Sequence, residues 1–232
     1  IFVSEHLEEV PGDLEAWLLL GEAQLGRGDL AAAVAATERA VEVDPLSAPA
    51  WYQLGELMRV GGKVGLAASF YDRARTLDPG HGDSDARAEL LTNDDDATVL
   101  RMHDKWPAII WLTLGAADVL ERQGNPVEAV TILQAALEDH PADGRLHYAI
   151  GRLLIGVPDE AEHAVYALTR ASELQPEDPE TWYALGVTYL ALEVDHGADA
   201  WFAFDRVEEL VGEDPDWTDR LLAGRRAVAE VP

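Results

Sequence analysis

The chain has no cysteine. This excludes disulfide bonds, thiol catalysis and cysteine-ligated zinc. It leaves the compartment undecided, a cytoplasmic one being the default. Lysine is nearly as scarce: Lys63 and Lys105 are the only two, and with arginine the basic residues number 17 against 44 acidic ones. The net charge of −27 repels nucleic-acid backbones, whose binding depends on cationic contacts, and argues against anionic membrane surfaces. No segment reaches the roughly 18 consecutive apolar residues of a membrane span, so direct membrane insertion is not expected. Catalytic signatures are missing as well. There is no Gly-x-x-x-x-Gly-Lys-Ser/Thr phosphate loop, no Gly-x-Gly-x-x-Gly, no His-Glu-x-x-His and no Gly-x-Ser-x-Gly elbow. His81 with Asp78, Asp83 and Asp85 comes nearest to a metal cluster. The run DPGHGDSD lacks calcium-loop spacing, however, and Asp, Gly and Ser are expected in a turn between helices anyway. His163, beside Ala164, reads as packing or surface. The expectation is a non-enzyme with no catalytic residue, metal site or cofactor.

What the chain does contain is a repeat. From Leu14 it reads LEAWLLLGEAQLGRGDLAAAVAATERAVEVDPLS, and from Ala48 it reads APAWYQLGELMRVGGKVGLAASFYDRARTLDPGH. Trp17 aligns with Trp51, Leu20 with Leu54, Gly21 with Gly55, Ala33 with Ala67, Ala40 with Ala74 and Pro45 with Pro79. The period of about 34 residues is that of helix–turn–helix solenoids. In each unit Trp, Leu and Gly at positions 4, 7 and 8 share one face of a first helix. The glycine and the small alanines of a second helix allow close approach, and the closing proline stops that helix. A unit at 179–214 carries Trp182, Leu185, Gly186, Tyr189, Ala200 and Phe204. One at 144–178 keeps Gly151, Ala164, Leu168, Ala171 and Pro176, with about one extra residue near Val157-Pro158-Asp159.

This pattern resembles the tetratricopeptide repeat family over nearly the whole chain. The resemblance implies an all-α, right-handed superhelical solenoid of antiparallel helix pairs. The expected division is the end of a truncated repeat at 1–13, repeats at 14–47 and 48–81, and a degenerate repeat or loop at 82–109. Repeats at 110–143, 144–178 and 179–214 follow, with a capping helix at 215–232. Because Ile1 falls in mid-repeat, more protein is expected upstream. In 82–109, DSDARAELLT and DDDATVLRMHDK each fit a short helix, the second capped by Asn93 or Asp94. The first helix of 110–143 fits two registers. One aligns Trp111, Leu114 and Gly115 with Trp-x-x-Leu-Gly but buries Asp118. The favoured one starts at Ile110, buries Thr113, Ala116, Ala117 and Leu120, and exposes Trp111, Asp118 and Arg122, since a buried unpaired aspartate is costly. In the terminal helix Leu221, Leu222, Ala223 and Val228 form the apolar side, and Arg220, Arg225 and Arg226 the polar side expected of a solenoid cap.

The same resemblance implies a function: a scaffold holding a peptide or partner helix in a concave groove lined by first helices. Carried over position by position, the groove residues are Leu18, Glu22 and Leu25, then Tyr52, Glu56 and Arg59. Trp111, Leu114 and Asp118 follow, then Arg145, Tyr148 and Arg152, and last Tyr183, Val187 and Leu190. Tyrosine and tryptophan offer contact area at low entropic cost, and Arg145 with Arg152 makes the fourth repeat locally cationic. The alternative is that these tyrosines pack on the next repeat. The lysine–asparagine clamp with which some family members hold chaperone tails would fall at Leu18 and Glu22, so that binding mode is not expected. Two further readings stay open: a non-catalytic, substrate-positioning arm of a larger enzyme, and self-assembly through open solenoid ends into homo-oligomers. The acid excess, spread along the chain, fits a surface suited to high salt better than a local patch steering a basic partner.

Overall fold

The computed structural model describes residues 2–155, 157, 159–192, 196–212 and 214–230. Ile1 and Pro158, on which two of the expectations above rest, lie outside them. The described residues form fourteen α-helices. Contacts gather them into two compact units, 1–109 and 110–232, taken in turn below.

The first unit contains α1 (Phe2–Glu9), the pair α2 (Leu14–Gly26) and α3 (Leu30–Val43), the pair α4 (Ala48–Val60) and α5 (Val64–Leu77), and the shorter α6 (Gly82–Thr92) and α7 (Asp96–Lys105). A few of the acids start helices. Asp13 accepts from the Ala16 amide at 3.0 Å, Asp29 from Ala32 at 2.9 Å and Asp95 from Thr98 at 2.8 Å. Each satisfies one of the amides that a helix start leaves unpaired. Asp95 therefore caps α7, rather than Asn93 or Asp94: its extended backbone aims the carboxylate at the first turn. The two helices of a repeat are joined through 27–29 and 61–63, where Gly28 and Gly62 adopt φ of +79° and +71°, a region that side chains resist. Ala33, Leu57, Met58, Ala67 and Tyr71 form the core. Gly55 sits against the Tyr71 ring so closely that a Cβ there would lie 2.5 Å from Cε1. Ala86 is fully buried, and Asp85 ties α6 to the end of α7 through Lys105 Nζ at 2.6 Å and Trp106 Nε1 at 2.9 Å.

The second unit contains the pair α8 (Ile110–Arg122) and α9 (Pro126–Asp139), the pair α10 (Gly144–Leu154) and α11 (Ala161–Leu174), the pair α12 (Pro179–Leu190) and α13 (Gly197–Val211), and α14 (Pro215–Glu230). The favoured register of α8 is the observed one: Thr113, Ala116, Ala117 and Leu120 are buried, and the Asp118 side chain is 64% exposed. Gly186 backs onto Phe204 and Gly151 onto Leu168, as Gly55 backs onto Tyr71.

One recurring contact was not anticipated. The indole N–H of Trp17, Trp51 and Trp182 donates to the carbonyl of Pro11, Pro45 and Pro176, six residues earlier, at 2.9–3.0 Å. The repeat tryptophan thus latches its helix to the end of the previous repeat, and His147 bonds Pro141 in the same way at 3.0 Å. On α14, Leu221 is buried, but Leu222 is half exposed and Ala223 is exposed. The expected apolar side is therefore narrower than read. Gly224 and Leu221 meet Phe204 and its cluster instead, and arginines complete the attachment. Arg225 reaches Asp205 at 2.6 Å and Glu208 at 2.9 Å on α13. Among the described residues no helix is long and apolar enough to cross a membrane.

Candidate functional site

The first helices carry the residues predicted to line a groove, and the two units treat them differently. In residues 1–109, Glu22 is exposed on α2 and Leu18 is half-buried. The Leu18 carbonyl accepts from Gln53 Nε2 at 2.9 Å, so this position ties α2 to α4. Tyr52 is half-buried, its ring centroid 5.7 Å from Tyr71 and 5.1 Å from His81. Burial, reinforced by the negative charge of Glu56, pushes the Tyr52 hydroxyl up to about 12. Glu56 accepts from the buried Tyr71 hydroxyl, from Arg59 Nη2 at 2.9 Å, and pairs with Arg87 Nε at 3.0 Å. Burial alone would raise this carboxyl, but the hydrogen bonds from Arg59 and Tyr71 and the charge of Arg87 outweigh it and hold it below the ordinary glutamate value. Tyr52 and Glu56 thus serve the seam between successive repeats.

In residues 110–232 the first helices bring a larger set together. Trp111, expected on an exposed face, is instead half-buried on α8. Arg152 on α10 reaches Asp118 at 2.9 Å and Glu121 at 2.8 Å on α8, the first of these a pair 34 residues apart in sequence. Glu180 on α12 holds Arg220 of α14 through the two terminal guanidinium nitrogens, at 2.6 and 2.8 Å. Arg220 lies over the Tyr183 ring at 4.3 Å and the Trp217 ring at 4.0 Å. Tyr183 also packs against Phe204, centroids 5.6 Å apart. Tyr148 is half-buried beside the cluster of Leu168, Ala184 and Leu185. Burial raises its hydroxyl, Glu180 adding to the shift and Arg152 and Arg220 opposing it, so the phenol stays protonated among these charges. The Arg220 hydrogen bond in turn holds Glu180 below its ordinary value.

The local cationic character expected of Arg145 and Arg152 is neutralised. Arg145 doubles back on its own helix-capping aspartate, Asp143, at 2.6 and 3.0 Å, and Arg152 is shared by two carboxylates. An arginine two residues after an N-cap acid forms that pair because its guanidinium fork fits a carboxylate with two bonds. Sequence reading placed Tyr148, Arg152, Asp118 and Tyr183 on this face and missed Glu121, Glu180, Trp217 and Arg220. The Asp118–Arg152 pair had a signal in its one-period spacing. Glu180–Arg220, 40 residues apart across a longer connection, had none. The assembled face offers aromatic surfaces, a phenol donor and paired charges, which is the chemistry of non-covalent recognition. His81 accepts from the Ser84 amide at 3.3 Å, and among the described residues no cluster of His, Asp and Glu is arranged to hold a metal.

Comparison with known proteins follows the same lines. A tetratricopeptide repeat model matches residues 4–40 and 18–81, and a second model of that repeat matches 110–153. The cytochrome c-type biogenesis protein CycH of Pseudomonas aeruginosa is 32% identical over 124 residues, which span 48% of this chain and 30% of that protein. The chain therefore covers less than a third of that curated relative's length. Among solved structures, the APC/C hetero-tetramer Cut9–Hcn1 superimposes with a TM-score of 0.73 at 15% identity, over 96% of this chain and 45% of that one. Yeast Tom70 gives 0.70 at 17%, over 96% and 48%. PilF of Pseudomonas aeruginosa gives 0.65 at 15%, over 90% and 97%. At these identities the likeness to the solved structures is one of fold.

Proposed function

The chain belongs to the tetratricopeptide repeat family, whose fold is that of a protein-interaction scaffold, and we propose that the first-helix face of residues 110–232 seats a peptide or partner helix. The observation that carries this reading is the run of rings and paired charges from α8 to α14: Asp118–Arg152, Tyr148, Glu180–Arg220, Tyr183 and Trp217. Aromatic rings held rigid by their neighbours lose little entropy on binding. Each ion pair also has carboxylate edges and guanidinium N–H groups left over for a partner's backbone.

An incoming carboxylate at Arg152 must compete with two tethered acids, so amide and aromatic anchors are favoured there over a bare acid. Leu18, Glu22, Tyr52 and Glu56 on the first helices of residues 1–109 would form a separate contact surface of that unit, with Glu22 the most accessible. Recovery of partners on the immobilised intact protein, repeated with Tyr148→Ala, tests the proposal. Loss of a specific partner with retained helical circular dichroism is the expected result, and an unchanged set of partners refutes it.

A second reading is favoured by one observation, the match to a much longer cytochrome c-type biogenesis protein. There the array would be the non-catalytic arm of a larger protein, presenting a protein substrate to a neighbouring part. Disruption of the gene with loss of covalently bound haem in c-type cytochromes would support that reading, and normal cytochromes would remove it.

A further inference from the structure

Within residues 110–232, a second apolar surface lies on the other side of α10. Along a helix turning 100° per residue, His147, Ile150 and Leu154 project roughly opposite to Tyr148 and Arg152. They form the floor of a cleft of about 530 Å³ whose walls are α9 and α11, a size in the range of roughly 300–1,000 Å³ typical of ligand-binding clefts. Val127 and Val130 on one wall and Tyr166 and Ala167 on the other line it. Val127 is 80% exposed and Tyr166 67%. Neither is needed to fill the core, which α9 and α11 supply with Ala129, Leu133, Ala164 and Leu168, all fully buried. Two large apolar side chains facing each other across an open groove are the opposite of what a solvated helix face requires.

We propose that this cleft is a second docking site, distinct from the first-helix face, and that it takes a short amphipathic helix of another protein whose apolar anchors are flanked by lysine or arginine. The lining residues recur at 127, 130, 131 and 134 on α9 and at 163, 166 and 167 on α11, helical spacing that presents two parallel ridges. A third helix laid between them would interdigitate with both. Charge selects the occupant. Among the described residues no lysine or arginine lines the cleft, whereas Glu160 does. The wall helices add Glu128, Glu138, Asp139, Glu162 and Glu173 against a single arginine, Arg170, which is paired to Glu173. A cationic flank is therefore attracted. A second copy of this chain, at a net charge of −27, is repelled.

The test uses a synthetic, fluorescein-labelled helix of about fifteen residues, with leucines spaced three and four apart and lysines elsewhere, titrated into the intact chain and followed by anisotropy. Saturable binding is expected. The double substitution Val127→Ser/Tyr166→Ser, at exposed positions, should weaken it at least about tenfold, whereas Tyr148→Ala should leave it unchanged. A peptide with glutamate in place of lysine should bind at least about tenfold more weakly. Absence of binding, equal affinity for the doubly substituted protein, or equal affinity of the glutamate peptide overturns the proposal. A concentration-dependent dimer in sedimentation, abolished by the same double substitution, also overturns it by assigning the cleft to a second copy. Because this site shares no residue with the first-helix face, its failure leaves the function proposed above untouched, and the converse holds.

Discussion

Placing a single methyl group at Gly55 should destabilise residues 1–109 measurably. In Gly55→Ala the new Cβ would lie 2.5 Å from Cε1 and 2.6 Å from Cδ1 of Tyr71. Unstrained carbon contacts are about 3.5–4.0 Å, so the ring or the helix must yield by roughly 1 Å. The ring has little freedom. Tyr71 is fully buried among Ala33, Leu57 and Ala67, and its hydroxyl is tied to Glu56. Overpacking of this kind costs about 1–3 kcal/mol, and replacing glycine by alanine inside a helix returns about 1 kcal/mol. The net expectation is a loss of up to about 2 kcal/mol, or a fall of up to roughly 8 °C in the melting midpoint. Gly65→Ala is the internal control. Its Cβ meets nothing within 4 Å, so only the propensity gain of up to about 1 kcal/mol applies. Thermal unfolding followed by circular dichroism at 222 nm compares the two variants. Adding Tyr71→Leu to Gly55→Ala should recover part of the loss, giving a coupling of about 0.5–3 kcal/mol in the double-mutant cycle. If Gly55→Ala melts as high as Gly65→Ala, the α4–α5 contact is not where the structure puts it.

Other consequences can be checked with the same protein. Gly55→Leu, with three further carbons, should lower the midpoint more than Gly55→Ala in the same assay. Arg220→Ala removes the Glu180 pair and the stacking on Tyr183 and Trp217, so amide hydrogen exchange in α14 should quicken while that in α10 and α11 holds. Because the Arg220 hydrogen bond lowers the Glu180 carboxyl, its stabilisation is complete above the unfolded value near 4.5 and is lost as pH falls through the folded one. The stability gap between wild type and Glu180→Gln should therefore be open at neutral pH and close under acid. Finally, a surface adapted to salt implies a melting temperature that climbs toward about 1 M, where the Debye length is only about 3 Å. A flat response would assign the acid excess to steering a basic partner.

The fold was legible because the repeat writes its packing into residue types at fixed spacing. Gly21, Gly55, Gly151 and Gly186 could only mean close helix approach, and Gly28 and Gly62 mark the turns. The cost of burying Asp118 favoured, of two possible α8 registers, the one the structure shows. What stayed hidden were contacts between polar groups that leave no periodic trace. Nothing in the sequence distinguishes the Glu180–Arg220 clamp from the other acids and arginines around it. Arg145 read as a free cation because its partner is the capping aspartate two residues before it, a pairing set by local backbone geometry. Leu222 and Ala223 read as core because alternating assignments on a single helix wheel cannot show how narrow a contact α13 offers. The cleft between α9 and α11 was invisible for the same reason: Val127 and Tyr166 look like core residues in sequence, and only the three-dimensional arrangement shows them exposed.

The most direct test of the account is the affinity of an isolated partner peptide for the first-helix face of residues 110–232. Once a partner has been recovered on the intact protein, its binding segment is titrated calorimetrically into wild type, Tyr148→Ala and Arg152→Glu, each confirmed folded by circular dichroism. The account predicts a loss of about 1–3 kcal/mol in each variant, roughly fivefold to 150-fold in Kd, as expected for anchors near an interface centre. Wild-type affinity in both folded variants would contradict it and move the working surface off the first helices.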